Sequence, residues 1–258
     1  QHQLNRIEAG TGSFKINDKL RYFDPDNTYG PYYPEVLPLV PIQTRAVLVG
    51  QTYTVMSQYV DRWPRVRMGR TYAERDITTV DGFEALSHVG VGGNNYVSQL
   101  SGARVTALLL TAVWPTALQE IAAGQELLLP AEYTTTDATT ALSAIQEAAS
   151  TENGLFFING AGKAIFLDRR TWISPPYSTS QATFTDIVLA AGELPYADIV
   201  PSLDKDLIFN DWRGIRAGGS PQTASDAASI LRYFRRTKQV NSTAFTDAQV
   251  LNQIQYNL

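Results

Sequence analysis

The sequence predicts an α+β protein that is mainly β and is built in three consecutive parts. Three observations carry this prediction. Before residue 90, apolar and polar residues alternate with the two-residue period of strands. After Gly90-Val91-Gly92-Gly93-Asn94-Asn95 the apolar spacing becomes that of helices. Pro175-Pro176 and a Ser/Thr-rich tract to Thr185 then separate a third part that starts near Ile187. With 258 residues, 44% of them hydrophobic, the chain can bury a core in one large β-rich domain or in two or three smaller ones. No internal repeat is visible.

In the first part, Phe14 and Ile16 alternate with Ser13 and Lys15 after Gly10 and Gly12, as in a short strand. Arg45 to Val49 and Gln51 to Val60 flank Gly50 as a hairpin. Tyr72 to Val80 alternates again, with Arg75, Ile77 and Thr79 on one side and Glu74, Asp76 and Thr78 on the other. It runs into Asp81, a cap for a short helix to Leu86. Residues 1–90 therefore read as a small antiparallel β-domain closed by a helix.

In residues 91–186, Val97, Leu100, Val105, Leu108, Leu109 and Ala112 recur with helical spacing until Pro115 ends the pattern. A second helix holds Ala138, Ala141, Leu142, Ile145, Ala148 and Ala149 on one face, with Thr136 or Asp137 as cap and Asn153-Gly154 as stop. Leu155 to Ile158 and Ala164 to Leu167 form a hairpin around Asn159-Gly160-Ala161-Gly162-Lys163. In the third part, Leu207 to Phe209 and Trp212 to Ile215 are strand-like. Ala224 to Tyr233 reads as a helix capped by Thr223 or Ser225, and Thr246 to Ile254 as another. The last helix meets no stop signal before Leu258, so further sequence is expected beyond it.

A formal charge of −4 and a sequence pI near 5.2 argue against a surface built to hold nucleic acid. No apolar run approaches the roughly 20 residues of a membrane span. The chain has no Cys and only two His, His2 and His88, and shows no Gly-x-Ser-x-Gly, His-Glu-x-x-His or P-loop. No catalytic residue, metal ligand or cofactor is therefore predicted, and His88 reads as a helix-end residue. Glu193, Asp198, Asp204, Asp206 and Asp211 read as a solvated acidic face, and Arg232, Arg235, Arg236 and Lys238 as charges favoured at a helix C-terminus.

Arg21-Tyr22-Phe23-Asp24-Pro25-Asp26-Asn27-Thr28-Tyr29-Gly30-Pro31-Tyr32-Tyr33-Pro34 stands out from the rest. Its prolines fix φ, its Asx residues bond their own backbone, and its rings supply contact area. It reads as an ordered aromatic loop. Asp24, Asp26, Thr28 and Glu35 mimic the spacing of a calcium loop, but Tyr29 holds the turn position where such loops use Gly. Asx-turns account for both aspartates without a metal.

This loop, with Asn17-Asp18 ahead of it, resembles the N-terminal signature of minor tail proteins at the tail tip of siphophages infecting actinobacteria, where it marks a baseplate hub protein. The resemblance continues through Gln58-Tyr59-Val60-Asp61-Arg62-Trp63-Pro64, Thr79-Val80-Asp81-Gly82-Phe83-Glu84-Ala85-Leu86, and Arg216-Ala217-Gly218-Gly219 with Gln222 to Ile230. It implies two small β-barrel-like domains, residues 1–90 and 187–258, separated by an α/β insertion, residues 91–186. It implies a homotrimeric ring that adapts the sixfold tail tube to the tip and lets DNA pass without specific binding. Its implied partners are the distal tail protein, the tape measure protein and peripheral tail-tip or fibre proteins. The implied location is the virion tail tip, after assembly in the host cytoplasm. Tyr22, Phe23, Tyr29, Tyr32, Tyr33 and Trp63 are the expected interface residues. A hexameric distal tail protein, a carbohydrate-binding host-recognition module and a cell-wall hydrolase are the alternatives.

Overall fold

The computed structural model describes residues 9–48, 50–64, 74–180, 182–186, 193–195, 198 and 205–258. Strands β1 (Thr11–Asn17), β2 (Pro41–Leu48), β3 (Gln51–Arg62) and β4 (Glu74–Val80) form one sheet in the order β1-β4-β3-β2, antiparallel throughout. Gly50, at φ +77°, makes the β2–β3 turn that the sequence predicts. Strand β4 keeps the predicted alternation, burying Arg75, Ile77 and Thr79 and turning Glu74 and Asp76 outward. Strand β3 meets β4 only along Tyr59–Arg62, so the Gln51–Met56 half of the hairpin runs past the sheet with its residues exposed.

Helix α1 (Gly82–Ser87) starts where Asp81 accepts a hydrogen bond from the Phe83 N–H at 2.9 Å. It does not close the first sheet as expected. Phe83 and Leu86 face the central core with Val105, Leu108, Leu109, Ile145 and Phe166, and Phe83 stacks on Phe156 with centroids 5.6 Å apart. The core thus crosses residue 90.

The central elements are β5 (Asn95–Tyr96), β6 (Gln99–Leu100), α2 (Ser101–Thr111), β7 (Gln119–Ile121), β8 (Leu127–Leu128), β9 (Ala131–Glu132), α3 (Ala141–Glu152), β10 (Leu155–Ile158), β11 (Ala164–Leu167) and α4 (Arg169–Trp172). Helices α2 and α3 pack on each other beside a β10-β11-β7 sheet, with β5 paired to β9 and β6 to β8. Two expectations are corrected. Val97 lies outside α2 and is exposed, because the chain first makes two short strands. The cap of α3 is Thr140, because the Asp137 carboxylate is engaged by the Thr139 N–H at 2.8 Å and hydroxyl at 2.6 Å.

The β10–β11 turn docks on β3: a Cβ added at Gly160 would stand 2.8 Å from the Val55 carbonyl oxygen, and one at Gly162 would stand 3.1 Å from Ser57 Cβ. That hairpin holds the central part to the first sheet. An edge contact between Tyr59 and Trp114, centroids 6.4 Å apart, adds to the same junction.

The last elements are β12 (Thr183–Thr185), β13 (Glu193–Pro195), β14 (Asp211–Arg216), β15 (Gln222–Ser225), α5 (Ala227–Tyr233), β16 (Thr237–Ser242) and α6 (Asp247–Tyr256). Ala224 belongs to β15, and α5 begins three residues later than its composition implies because Asp226 caps it, accepting from the Ala228 and Ser229 N–H groups. The sheet order is β15-β14-β16, and β14 runs parallel to β16 because α5 carries the chain across. Thr246 and Gln249 form a capping box on α6, which buries Val250, Gln253 and Ile254. Gln253 donates to the Ser150 carbonyl at 2.8 Å and so ties α6 to α3.

Among the described residues, no sheet closes into a barrel. The first sheet is antiparallel and four-stranded; the last is three-stranded and contains a parallel pair.

Candidate functional site

The aromatic loop is a ladder of turns. The N–H groups of Arg21, Asp24, Asn27, Gly30 and Tyr33 each donate to the carbonyl three residues earlier, at 2.9–3.3 Å, so each turn shares a corner with the next. Asn27 also accepts from the Tyr29 N–H at 3.3 Å and donates to the Arg21 carbonyl at 2.8 Å. The result is an ordered segment without helix or strand.

Its anchor is Arg75 of β4, only 1% exposed. Arg75 Nε donates to Asp18 Oδ2 at 2.8 Å, Nη2 meets Asp24 Oδ2 at 3.1 Å, and Nη1 donates to the Pro64 carbonyl at 2.6 Å. Asp18 in turn accepts from the Tyr22 and Phe23 N–H groups, and Asp24 from Arg21 and the Asp26 N–H. Sequence reasoning read the loop as ordered but missed this residue. The signal was present: a guanidinium on the apolar side of an alternating strand must bring its own anions. The Asp24 carboxylate is committed to two arginines, which accounts for the calcium-like spacing.

Of the six expected interface residues, four form one cluster. The Phe23 ring stacks on Tyr32, centroids 4.9 Å apart, and on Trp63 at 5.9 Å, while Tyr22 meets Tyr32 edge-on at 6.4 Å. Trp63 Nε1 donates to the Leu37 carbonyl at 2.7 Å. Phe23 and Trp63 are half-buried and act as the internal spine. Tyr22, Tyr32 and Tyr33 are exposed, Tyr29 is 97% exposed, and the nearby Leu20, Leu37 and Leu39 are exposed as well. An ordered loop thus presents large rings to solvent.

A second feature lies between the central part and the last sheet. It is a cleft of about 530 Å³ with apolar walls that include Leu129, Ala131, Ala148 and Ile215. Arg104 lines it, 4% exposed, and its Nη2 donates to the carbonyls of Val97 and Leu129 at 3.0 and 2.8 Å. The acids Glu132, Asp137 and Glu147 stand around the cleft. Burial raises the Glu147 carboxyl against the pull of Arg104.

The remaining candidates fall elsewhere. His88 ends α1, largely exposed, 2.8 Å from Glu84. Asp204 lies outside the described residues. Asp211 leaves the expected acidic face: it is buried, where it accepts from Thr237 at 2.7 Å and pairs with Arg213 and Arg235, each at 3.2 Å. Among the described residues, no group of three or more His, Asp or Glu side chains could hold a metal ion.

Two of these carboxylates make the fold sensitive to acid. At Asp24 burial opposes ionisation, but hydrogen bonds from Arg21 and the Asp26 N–H and the charges of Arg75 and Arg21 outweigh it. At Asp211 the Thr237 hydroxyl is the main cause, opposed by burial and helped by Arg213 and Arg235. Both sit below the ordinary value of 3.8. A lowered folded pKa contributes stability that is complete above the ordinary value and is lost as pH falls through the folded one. We expect urea midpoints to be flat from pH 7 to about 5 and to fall steeply below about 4. Asp211→Asn should be less stable at pH 7 and show a shallower acid limb; parallel acid limbs would contradict the assignment.

No protein-family description matches the sequence, and no curated protein matches it. Comparison with solved structures finds phage tail proteins. The tail protein from Neisseria meningitidis MC58 superposes with a TM-score of 0.56 at 17% identity, covering 97% of this chain and 67% of that one. The 43 kDa tail protein of prophage MuSo2 from Shewanella oneidensis gives 0.48 at 12% identity, with 96% and 68% covered. The prophage tail protein gp18 from Listeria monocytogenes EGD-e gives 0.44 at 11%, with 83% and 66% covered. At such identities the likeness to the Neisseria protein is one of fold.

Proposed function

We propose that this chain is a structural subunit of a phage tail, and more specifically a hub protein of the tail tip or baseplate. The observation that carries the reading is the correspondence of 97% of the chain with the fold of the Neisseria tail protein. In this reading three copies form a ring that adapts the sixfold tube to the tip, with residues 1–90 and 187–258 as ring-forming units and 91–186 between them. Neither described sheet forms a barrel on its own, so the ring reading rests on fold likeness and on surface. Among the described residues, β1 and β2 are the edge strands of the first sheet, and such edges call for a neighbour. An acidic chain also suits a conduit, because it lacks the counterion-release attraction by which a basic lumen would hold DNA.

The partners in this reading are the distal tail protein, the tape measure protein and peripheral fibre or tip proteins, and the location is the virion tail tip after assembly in the host cytoplasm. The role is structural, with no catalysis and no cofactor. Sedimentation velocity and native mass measurement test it: three copies are expected, six would favour a distal tail protein, and a monomer at all concentrations would overturn the ring.

The aromatic loop supplies the contact surface, through Tyr22, Tyr29, Tyr32 and Tyr33 over the Phe23–Trp63 spine. Tyr32→Ala with Tyr33→Ala should weaken assembly at least tenfold while leaving the thermal midpoint of the single chain within a few degrees, since exposed substitutions cost little. Unchanged assembly in that double variant would remove the loop from the interface.

A further inference from the structure

Helix α5 has no buried residue, and it ends in an exposed apolar knob: Leu231 is 90% exposed and Phe234 85%. Phe234 is held at φ +61°, ψ +170°, a region that side chains other than glycine's rarely enter. The clamp is Asn210, whose fully buried side chain donates to the Phe234 carbonyl at 2.8 Å and accepts from the Arg236 N–H at 2.8 Å. Such strain persists only where its surroundings over-determine it. Here it serves to aim a phenyl ring into solvent. Arg232, over the Tyr233 ring, flanks the knob with positive charge, while Arg235 beside it is committed to buried Asp211.

The cleft has the complementary character. Its apolar walls stand among Glu132, Asp137 and Glu147, and its two lining arginines are engaged within the chain, Arg104 through Nη2 by backbone carbonyls and Arg216 by Asp247 at 2.6 Å. Knob and cleft cannot meet as one local surface. The knob precedes β16 and the cleft borders its last residues, roughly 17 Å away along the strand.

We propose that the Leu231–Phe234 knob of one copy inserts into the cleft of the next, Arg232 against the acids, as the heterologous contact that closes the ring. This rests on the self-assembly stated above and names the surfaces that carry it.

The absence of cysteine makes trapping clean. The doubly substituted Phe234→Cys, Ala131→Cys chain, oxidised mildly, should give a ladder of disulfide-linked multimers on non-reducing gels. Phe234→Cys alone should give no such ladder. Phe234→Gly, which removes the ring and relieves the backbone, should weaken assembly at least tenfold in sedimentation while melting no lower than the wild type. Arg232→Glu should weaken assembly, and Glu132→Arg on the same chain should restore it. A ring that forms with no cross-link and is indifferent to Phe234→Gly would overturn the knob and leave the hub reading standing. A disulfide formed within one chain would overturn it too, and a wild type that stays monomeric would overturn both.

Discussion

Arg75→Ala should remove about 3–5 kcal/mol of folding stability, the range for breaking a buried ion pair from one side. The guanidinium is buried between Asp18 and Asp24, and both carboxylates are buried as well. Deleting it leaves Asp18 without a cation, Asp24 with Arg21 alone, and the Pro64 carbonyl without its donor. Because Asp18 and Asp24 also hold the N–H groups of Tyr22, Phe23 and Asp26, the turn ladder should loosen with them. Arg75→Lys should recover only part of the loss, since an ammonium cannot offer the planar fork to two carboxylates and a carbonyl at once. Neutralising the partners in a triple variant, Asp18→Asn, Asp24→Asn, Arg75→Met, should cost less than Arg75→Ala alone. Urea unfolding followed by tryptophan fluorescence measures this. An Arg75→Ala loss below about 1 kcal/mol would place the guanidinium in contact with water.

The second large effect is expected at the start of α2. A Cβ on Gly102 would stand 1.9 Å from the Ala122 carbonyl oxygen and 2.6 Å from that of Ala123. Both obstacles are backbone, so no side-chain rotation relieves them. The junction is pinned from the other side as well. One oxygen of buried Glu152 accepts from Ser101 Oγ at 2.7 Å and from the N–H groups of Gln125 and Glu126 at 3.0 and 2.8 Å. The loop and the helix cannot separate without breaking that set. Gly102→Ala should therefore cost about 3 kcal/mol or more, the upper end of overpacking. Gly218→Ala, at φ +69° with nothing near its Cβ, should cost about 1 kcal/mol from backbone strain alone. Equal losses in the two variants would mean that the 122–126 loop yields.

The central part is where the sequence and the tertiary structure differ most usefully. The Ala138 to Ala149 pattern locates α3, yet its start is decided by Thr139 engaging the Asp137 carboxylate and leaving Thr140 as the cap, a local choice that spacing cannot resolve. Ala224 to Tyr233 is similar. A helix pattern begins there, but pairing with β14 draws Gln222–Ser225 into a strand and passes the cap to Asp226. The hairpin around Asn159 to Lys163 is fully legible as a hairpin. Its burial against β3 is not, because that depends on a backbone lying more than a hundred residues earlier.

By itself the sequence determined most of the periodic elements, the ordered aromatic loop and the absence of thiol chemistry, because each follows from neighbours within a few residues. The structure alone decided that α1 belongs to the central core, that Asp211 is buried, that Arg75 anchors the loop, and that the Phe234 ring is forced outward. These are outcomes of desolvation and pairing between distant segments: a charge is buried only where the fold brings it a counter-charge, and a strained residue persists only where the fold supplies the clamp.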